Sequence, residues 1–259
     1  QFEEENIYFI NETQLSPQQE KYIDTFFHLK LRPRLIPIML DSLKKFPYLK
    51  STLIYLAVEL KLKSYKEKYA LIEIPTDIMN RFVILPKEET KQYIIMLDDV
   101  IRYGLNEIFS IFSPVSVKAY AIKITRDAEL DISEDITISF FEKISQSLEQ
   151  RKIGQPVRIV YDNNIPEKLL NYLLNKMNLS AFKNITSGGR YHNARDFINF
   201  PRVGSENLSY KTDIPLNHKN FHKGKSFFQA IKERDILLHF PYQSFHSFID
   251  LLREAAIDP

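Results

Sequence analysis

The chain contains no cysteine and no tryptophan, and only six glycines in 259 residues. Without cysteine there is neither a disulfide nor a thiolate metal site, and a reducing compartment is the natural setting. There is no large excess of one charge: 35 Lys+Arg stand against 33 Asp+Glu, a formal +2. That balance argues against a general nucleic-acid binder, although net charge leaves room for a local basic patch. No run approaches the ~20 apolar residues of a membrane-spanning helix, and the first residues do not read as a signal peptide. None of the six histidines has the HExxH spacing of a zinc helix. His218 and His222 are four apart, but Lys219, Lys223 and Lys225 surround them and would repel a dication, so this stretch reads as an exposed basic loop.

Hydrophobic residues make up 44% and charged residues 26% of the chain. That is the mixture of a soluble globular protein with core enough for one large domain or two modest ones. Ile7–Asn11 is a short β-prone run. Ser16-Pro17 supplies an N-cap followed by Pro at the first helical position, and a helix should run to about Leu31, with Tyr22, Ile23, Phe26 and Phe27 at helical spacing. Arg32-Pro33 should end it. Leu53–Leu60 and Tyr69–Ile74, separated by the charged turn 63–67, read as a hairpin, and Arg81–Leu85 as a third strand. Tyr93–Leu97 is ambiguous, with Asp98 a candidate cap for a helix through Phe109. Val117–Ile124 alternates as a strand, and a helix is expected from about Ser133. Pro156 opens the strand Val157–Tyr161, and Pro166 opens a helix to about Asn175.

This order predicts an α+β fold: an antiparallel-rich mixed sheet with helices packed on one face. Four of the six glycines fall between Asn178 and Lys225, marking loops of demanding geometry. After them comes a strand, Asp235–Phe240, then a helix from about Ser244 to Ala256. An apolar strand needs sheet neighbours, and none follows in this sequence. An incomplete βα unit of a second domain is therefore expected, with domains at 1–216 and 217–259. The first residue is Gln1 rather than Met, which fits a chain taken from a longer one.

Three stretches carry a resemblance: Ile124–Ile132 (ITRDAELDI), Ser187–Gly204 (SGGRYHNARDFINFPRVG) and Ile231–Phe245 (IKERDILLHFPYQSF). In this order and spacing they resemble the polyphosphate kinases that work through a phospho-histidine. Tyr69–Pro75 and Leu251–Ala256 also resemble that family, so the likeness spans nearly the whole chain. Many members carry a Pro-Phe-Pro cluster where this sequence has only Phe46-Pro47. The resemblance implies a helical N-terminal domain, a head domain and two phospholipase-D-like domains. Gln1 to about Leu216 resembles the head domain, and the rest the start of the first phospholipase-D-like domain. It implies transfer of the ATP γ-phosphate to inorganic polyphosphate, reversibly and with Mg2+, by a homodimer joined through the head domain. It also implies a cytoplasmic protein, with membrane association an option for the full-length enzyme, and no nucleic-acid partner. The catalytic histidines and the ATP- and metal-binding residues of the family belong to later segments. No catalytic residue is carried over, and this piece is expected to bind no cofactor and to be inactive alone.

The candidate phosphate-binding residues are Arg126, Arg190 and His192. Arg126 precedes Asp127 and Glu129 at the end of a strand: either it faces phosphate, or it fixes a loop by an ion pair. Gly188–Asn193 could form a backbone nest with Arg190 gripping phosphate. It could equally be a capping loop in which Asn193 starts the helix Ala194–Phe200 and His192 is bonded internally. Lys219, His222, Lys223 and Lys225 either steer a polyanion or form a solvated linker. A stand-alone oligomerisation or polyanion-binding module is the alternative function. An independent enzyme built on His192 and Asp196 would need a nucleophile–base–orienter set that the sequence does not display.

Overall fold

A computed structural model of the chain describes residues 1–64, 66–126, 156–179, 183–211, 213–219 and 226–258. It divides into two compact units, Gln1–Gly204 and Ser205–Pro259. The helix expected from Ser133, and His222, Lys223 and Lys225, lie outside the described residues.

The first unit contains two sheets. In the larger, strands β2 (Ile38–Met39), β4 (Glu67–Glu73), β3 (Tyr55–Lys61), β7 (Ser116–Arg126), β8 (Pro156–Asp162) and β9 (Ile185–Gly188) lie side by side in that order. All neighbours are antiparallel except β8 and β9, which run parallel. The expected hairpin is β3–β4, in register from Tyr55↔Glu73 to Lys61↔Glu67. The smaller sheet joins β1 (Ile7–Ile10), β6 (Gln92–Met96) and β5 (Phe82–Ile84), with β1 parallel and β5 antiparallel to β6. The strand expected at Arg81–Leu85 therefore forms, but in a different sheet from the hairpin. Tyr93–Leu97 resolves as strand β6 leading directly into helix α2 (Leu97–Tyr103) and the short α3 (Leu105–Ile108).

The helices cover both faces of the large sheet, not one as expected. The reason lies in β3, where every second side chain points the same way. Leu56, Val58 and Leu60 enter one buried cluster, Tyr55 and Ala57 the other. Both faces are apolar, so each needs cover. On the first face lie α1 (Pro17–Phe26) with Ile23, and α2 with Val100 and Ile101. On the second lies α4 (Glu167–Lys176) with Leu169, Leu173 and Leu174. Each such leucine contributes roughly 1.5–3 kcal/mol when fully buried.

Ser16 caps α1 as expected: its Oγ accepts from Gln19 N at 3.3 Å, while Gln19 Oε1 accepts from Ser16 N at 3.1 Å. The helix continues as a π-helical turn over Phe27–Leu31, which keeps Phe27 and Leu31 in the core beneath Ile23. Asp98 is not a cap. Met96 occupies the N-cap position of α2 with no side-chain hydrogen bond, and Asp98 is fully buried inside the first turn.

The second unit is more loosely built. It holds α5 (Phe227–Glu233), α6 (His246–Ile257) and one isolated parallel bridge, Leu216↔Gln243. The helix expected from Ser244 is α6. The strand expected at Asp235–Phe240 is not formed: these residues join no ladder, because no strand among the described residues offers them its backbone groups. Glu254 ties the two helices together by accepting from Ser226 Oγ and, at 2.8 Å, from Phe227 N. Those donors hold its carboxyl below the usual range, the Ser226 hydroxyl first.

Candidate functional site

The segment singled out by the sequence, Gly188–Asn199, docks onto the first unit through buried charges. Two arginines organise it. Arg81, 3% exposed, sits just before β5 and reaches inward. Its Nε and Nη2 donate to Asp98 Oδ2 and Oδ1 at 2.9 and 2.8 Å, a bidentate fork. Its Nη1 donates to Asp196 Oδ2 at 2.8 Å and to the carbonyl oxygen of His192. Burial opposes the charge, yet the bonds and charges of Asp98 and Asp196 hold the guanidinium above its ordinary pKa.

The second anchor is Asp99, the next residue on α2. It accepts from Arg102 Nη1 at 2.7 Å, from Arg190 Nε and Nη2 at 3.1 and 2.7 Å, and from the Tyr191 hydroxyl. Burial pushes its carboxyl up, against the opposing pull of Arg102, Tyr191 and Arg190. Arg190 Nη2 also donates to Glu12. Although burial opposes it, Asp99 and Glu12 hold the Arg190 guanidinium above its usual value. The Arg190 side chain keeps 35% exposure.

His192 is inside. Its Nε2 lies 3.1 Å from the carbonyl oxygen of Ala121 on β7. A carbonyl only accepts, so Nε2 carries the proton. Burial lowers its pKa, favouring the neutral ring. Gly188, at the end of β9, makes room for that ring: a Cβ there would lie 2.9 Å from His192 Cε1 and from Val160 Cγ1. Gly189 meets no such constraint, since a Cβ would touch nothing within 4 Å.

The left-handed backbone that a phosphate nest needs is not at either glycine. Among the described residues of this loop it occurs at Asn193, with φ 67°. Gly188 serves close packing within β9. Asn193 is the cap of a 3₁₀ turn over Ala194–Asn199, as the capping-loop reading had it. Its amide donates to Asp196 Oδ1 at 2.6 Å and accepts from Lys123 Nζ at 2.7 Å.

The cluster is formally balanced, with Arg81, Arg102, Lys123 and Arg190 set against Glu12, Asp98, Asp99 and Asp196. A His192–Asp196 catalytic pair does not form: Asp196 is engaged by Arg81 and Asn193, and the imidazole by Ala121. A cavity of about 710 Å³ lies beside the loop, walled by Phe2, Phe9, Tyr191, His192, Phe197 and Arg81.

Arg126 is elsewhere. It ends β7 at a register shift and faces the second side of the large sheet, its Nε donating to Leu49 O at 3.2 Å. Its guanidinium carbon lies 4.6 Å from the centroid of the Tyr48 ring. The structure thus brings Arg190 and His192 together and leaves Arg126 apart. Glu12, Arg81, Asp98 and Asp99 were not anticipated as parts of one network. The Asp98-Asp99 doublet, two acids in an otherwise apolar stretch, was the available signal.

Comparison with known proteins supplies an independent result. Residues 18–200 match the family model described as the polyphosphate kinase middle domain. Residues 226–259 match polyphosphate kinase C-terminal domain 1. The chain is 42% identical to a polyphosphate kinase of Vibrio vulnificus and 41% identical to that of Escherichia coli K12, each over 98% of its length. It spans only 37% and 38% of those relatives. A crystal structure of polyphosphate kinase from Porphyromonas gingivalis superposes on the whole chain with TM-score 0.66 at 30% identity, covering 37% of that chain.

Proposed function

Because the chain belongs to the polyphosphate kinase family, we propose that it is the head domain and the opening of the first phospholipase-D-like domain of such an enzyme. The proposed reaction is transfer of the ATP γ-phosphate to inorganic polyphosphate through a phospho-histidine, with Mg2+. The observation that carries this reading is the match of the middle-domain model over residues 18–200. We place the domain boundary at 216/217, between the segments matched by the two family models. The phospho-acceptor, nucleotide and metal ligands are proposed to lie outside this chain. The chain's share of the work is assembly, as a homodimer through the head domain, and shaping of the polymer path. No helix among the described residues is long and apolar enough to cross a membrane, and a cytoplasmic location is part of the same proposal.

Of the three candidate phosphate residues, His192 is proposed to act by holding its loop on β7. Arg190 spends Nε and Nη2 on carboxylates, so its contact with polymer would fall to Nη1. Arg126 is the candidate on the other face.

The test is ATP-dependent polyphosphate synthesis by this chain beside its full-length parent, with radiolabel transfer to protein recorded. A silent, unlabelled chain and an active, labelled parent are expected. An inactive parent would end the kinase reading, and a labelled chain would place a phospho-acceptor within these residues.

A further inference from the structure

The small sheet has an edge with no partner among the described residues. β1 covers one side of β6 and β5 the other, which leaves the outer edge of β5 open. The register shows which of its groups point outward. Leu97 N donates to Arg81 O at 2.7 Å and Leu85 N to Tyr93 O at 2.9 Å. The backbone groups of Arg81, Val83 and Leu85 therefore point at β6, and those of Phe82 and Ile84 point away from it. Asn80 Oδ1 accepts from Phe82 N at 3.0 Å. Ile84 N, Ile84 O and Phe82 O have no hydrogen-bond partner among the described residues.

Beside this edge runs a groove of about 530 Å³, walled by Tyr22, Phe26, Met79 and Ile84 and by Lys30 and Arg34. Among the described residues that line it there are two cations and no carboxylate. Neither cation has a carboxylate partner among the described residues. Lys30 Nζ lies 5.7 Å from the centroid of the Phe26 ring, and Arg34 Nη1 donates to Lys30 O. The two faces of β5 differ. Val83 enters the cluster that holds Ile23, Phe27, Leu31 and Leu35, the segment that carries Lys30 and Arg34. Phe82 enters the cluster on the other face with Ile94, and Ile84 follows it by alternation. A strand laid along β5 would therefore turn alternate side chains toward the two cations and toward Ile84.

We propose that this edge and groove receive an extended acidic segment of another protein, added beside β5 to the three-stranded sheet. Main-chain bonds to Ile84 and Phe82 O would supply affinity, and the side-chain pattern specificity. Charge decides the occupant. A second copy pairing through its own β5 would bring the same two cations and no carboxylate to the contact. A segment that alternates apolar and acidic residues complements both faces. β5 is only three residues long and Pro86 follows closely, so the segment is short and indiscriminate strand addition is discouraged. The hold would weaken with salt, because both cations are exposed.

Fluorescence anisotropy of a short labelled peptide of alternating valine and glutamate, titrated with this chain, tests it. Binding is expected, while a peptide of alternating valine and lysine should not bind. Ile84→Pro removes the outward N–H and leaves the bonds to β6, so it should weaken binding about tenfold or more. Lys30→Glu/Arg34→Glu should reverse the preference, so that the lysine peptide binds and the glutamate peptide does not. Circular dichroism would confirm each fold, and a variant that fails to fold leaves the other as the test. Absent binding of the glutamate peptide, equal binding of both peptides, or unchanged affinity in a folded variant would overturn the proposal. So would sedimentation in which Ile84→Pro splits a dimer of this chain, since the edge would then belong to a second copy. Binding by this chain but not by its full-length parent would do the same, since the rest of the parent would then fill the edge.

Discussion

Arg81 meets one fully buried carboxylate, Asp98, and one partly buried, Asp196, and that sets what its removal does. Arg81→Ala would leave Asp98, fully buried, with an uncompensated charge. Breaking a buried pair in this way costs about 3–5 kcal/mol, whereas replacing both partners by apolar residues is far milder. Chemical denaturation should therefore show a large loss for Arg81→Ala and a smaller one for Arg81→Met/Asp98→Leu. His192 gives a pH signature. Its folded pKa lies below the unfolded value, because burial outweighs the Ala121 bond and the charges of Asp162 and Asp98, with Arg81 adding to burial. The unfolded chain then binds the extra proton first, and stability falls as pH drops through about 6.5. Asp99, pushed up by burial, contributes with the opposite sign. His192→Gln keeps a donor for Ala121 O and should flatten the melting-temperature profile between pH 7 and 5.5. An unchanged slope would show that His192 is not the group responsible. At this scale the sequence disclosed Arg190, His192, Asn193 and Asp196, since they share one loop with glycine and polar signals. It could not disclose their partners: Arg190 pairs with Glu12 across 178 positions and with Asp99 across 91. Pairings of that kind follow from topology, not from spacing.

Among elements, the boundaries marked by local chemistry were legible and those fixed by neighbours were not. Ser16-Pro17, Pro156 and Pro166 each opened the element that the chain places there. The two-faced sheet was readable in principle, since β3 is apolar at consecutive positions. Yet a continuous apolar run does not say which helix covers which face. Asp235–Phe240 failed for the converse reason: its composition is that of a strand, but a strand exists only through its partners. The turn between α2 and α3 carries a testable constraint. A Cβ on Gly104 would lie 2.1 Å from the Phe27 ring, which is 1% exposed and held inside the π-helical turn. Neither group can retreat cheaply, so Gly104→Ala should destabilise by about 3 kcal/mol or more. Gly188→Ala, which meets the His192 and Val160 side chains at 2.9 Å, should cost less, roughly 1–2 kcal/mol. Denaturant midpoints would rank the two, and a reversed order would mean that the His192 loop is the more rigid.

Over the whole molecule the contrast is between a unit with its own core and one without. Gln1–Gly204 buries two large apolar clusters on its six-stranded sheet and a smaller one on its three-stranded sheet. Among the described residues of Ser205–Pro259 only Ala230 is buried, while Leu237 is 85% and Phe245 53% exposed. Local opening is easiest where few apolar contacts must be broken, and protease sensitivity follows the population of open states. Brief trypsin digestion of this chain should therefore cut within Ser205–Pro259, at sites such as Lys232, Arg234 and Arg253, before it cuts within β3, β4 or α2. Glu254 binds the N-terminus of α5, so Glu254→Ala should hasten that cleavage without altering the melting of the first unit. In the full-length parent, where the proposed remainder of the phospholipase-D-like domain would supply a sheet, the same sites should resist. Equal sensitivity in chain and parent would mean that nothing downstream covers the apolar face of α6, and the domain assignment for 217–259 would have to be abandoned.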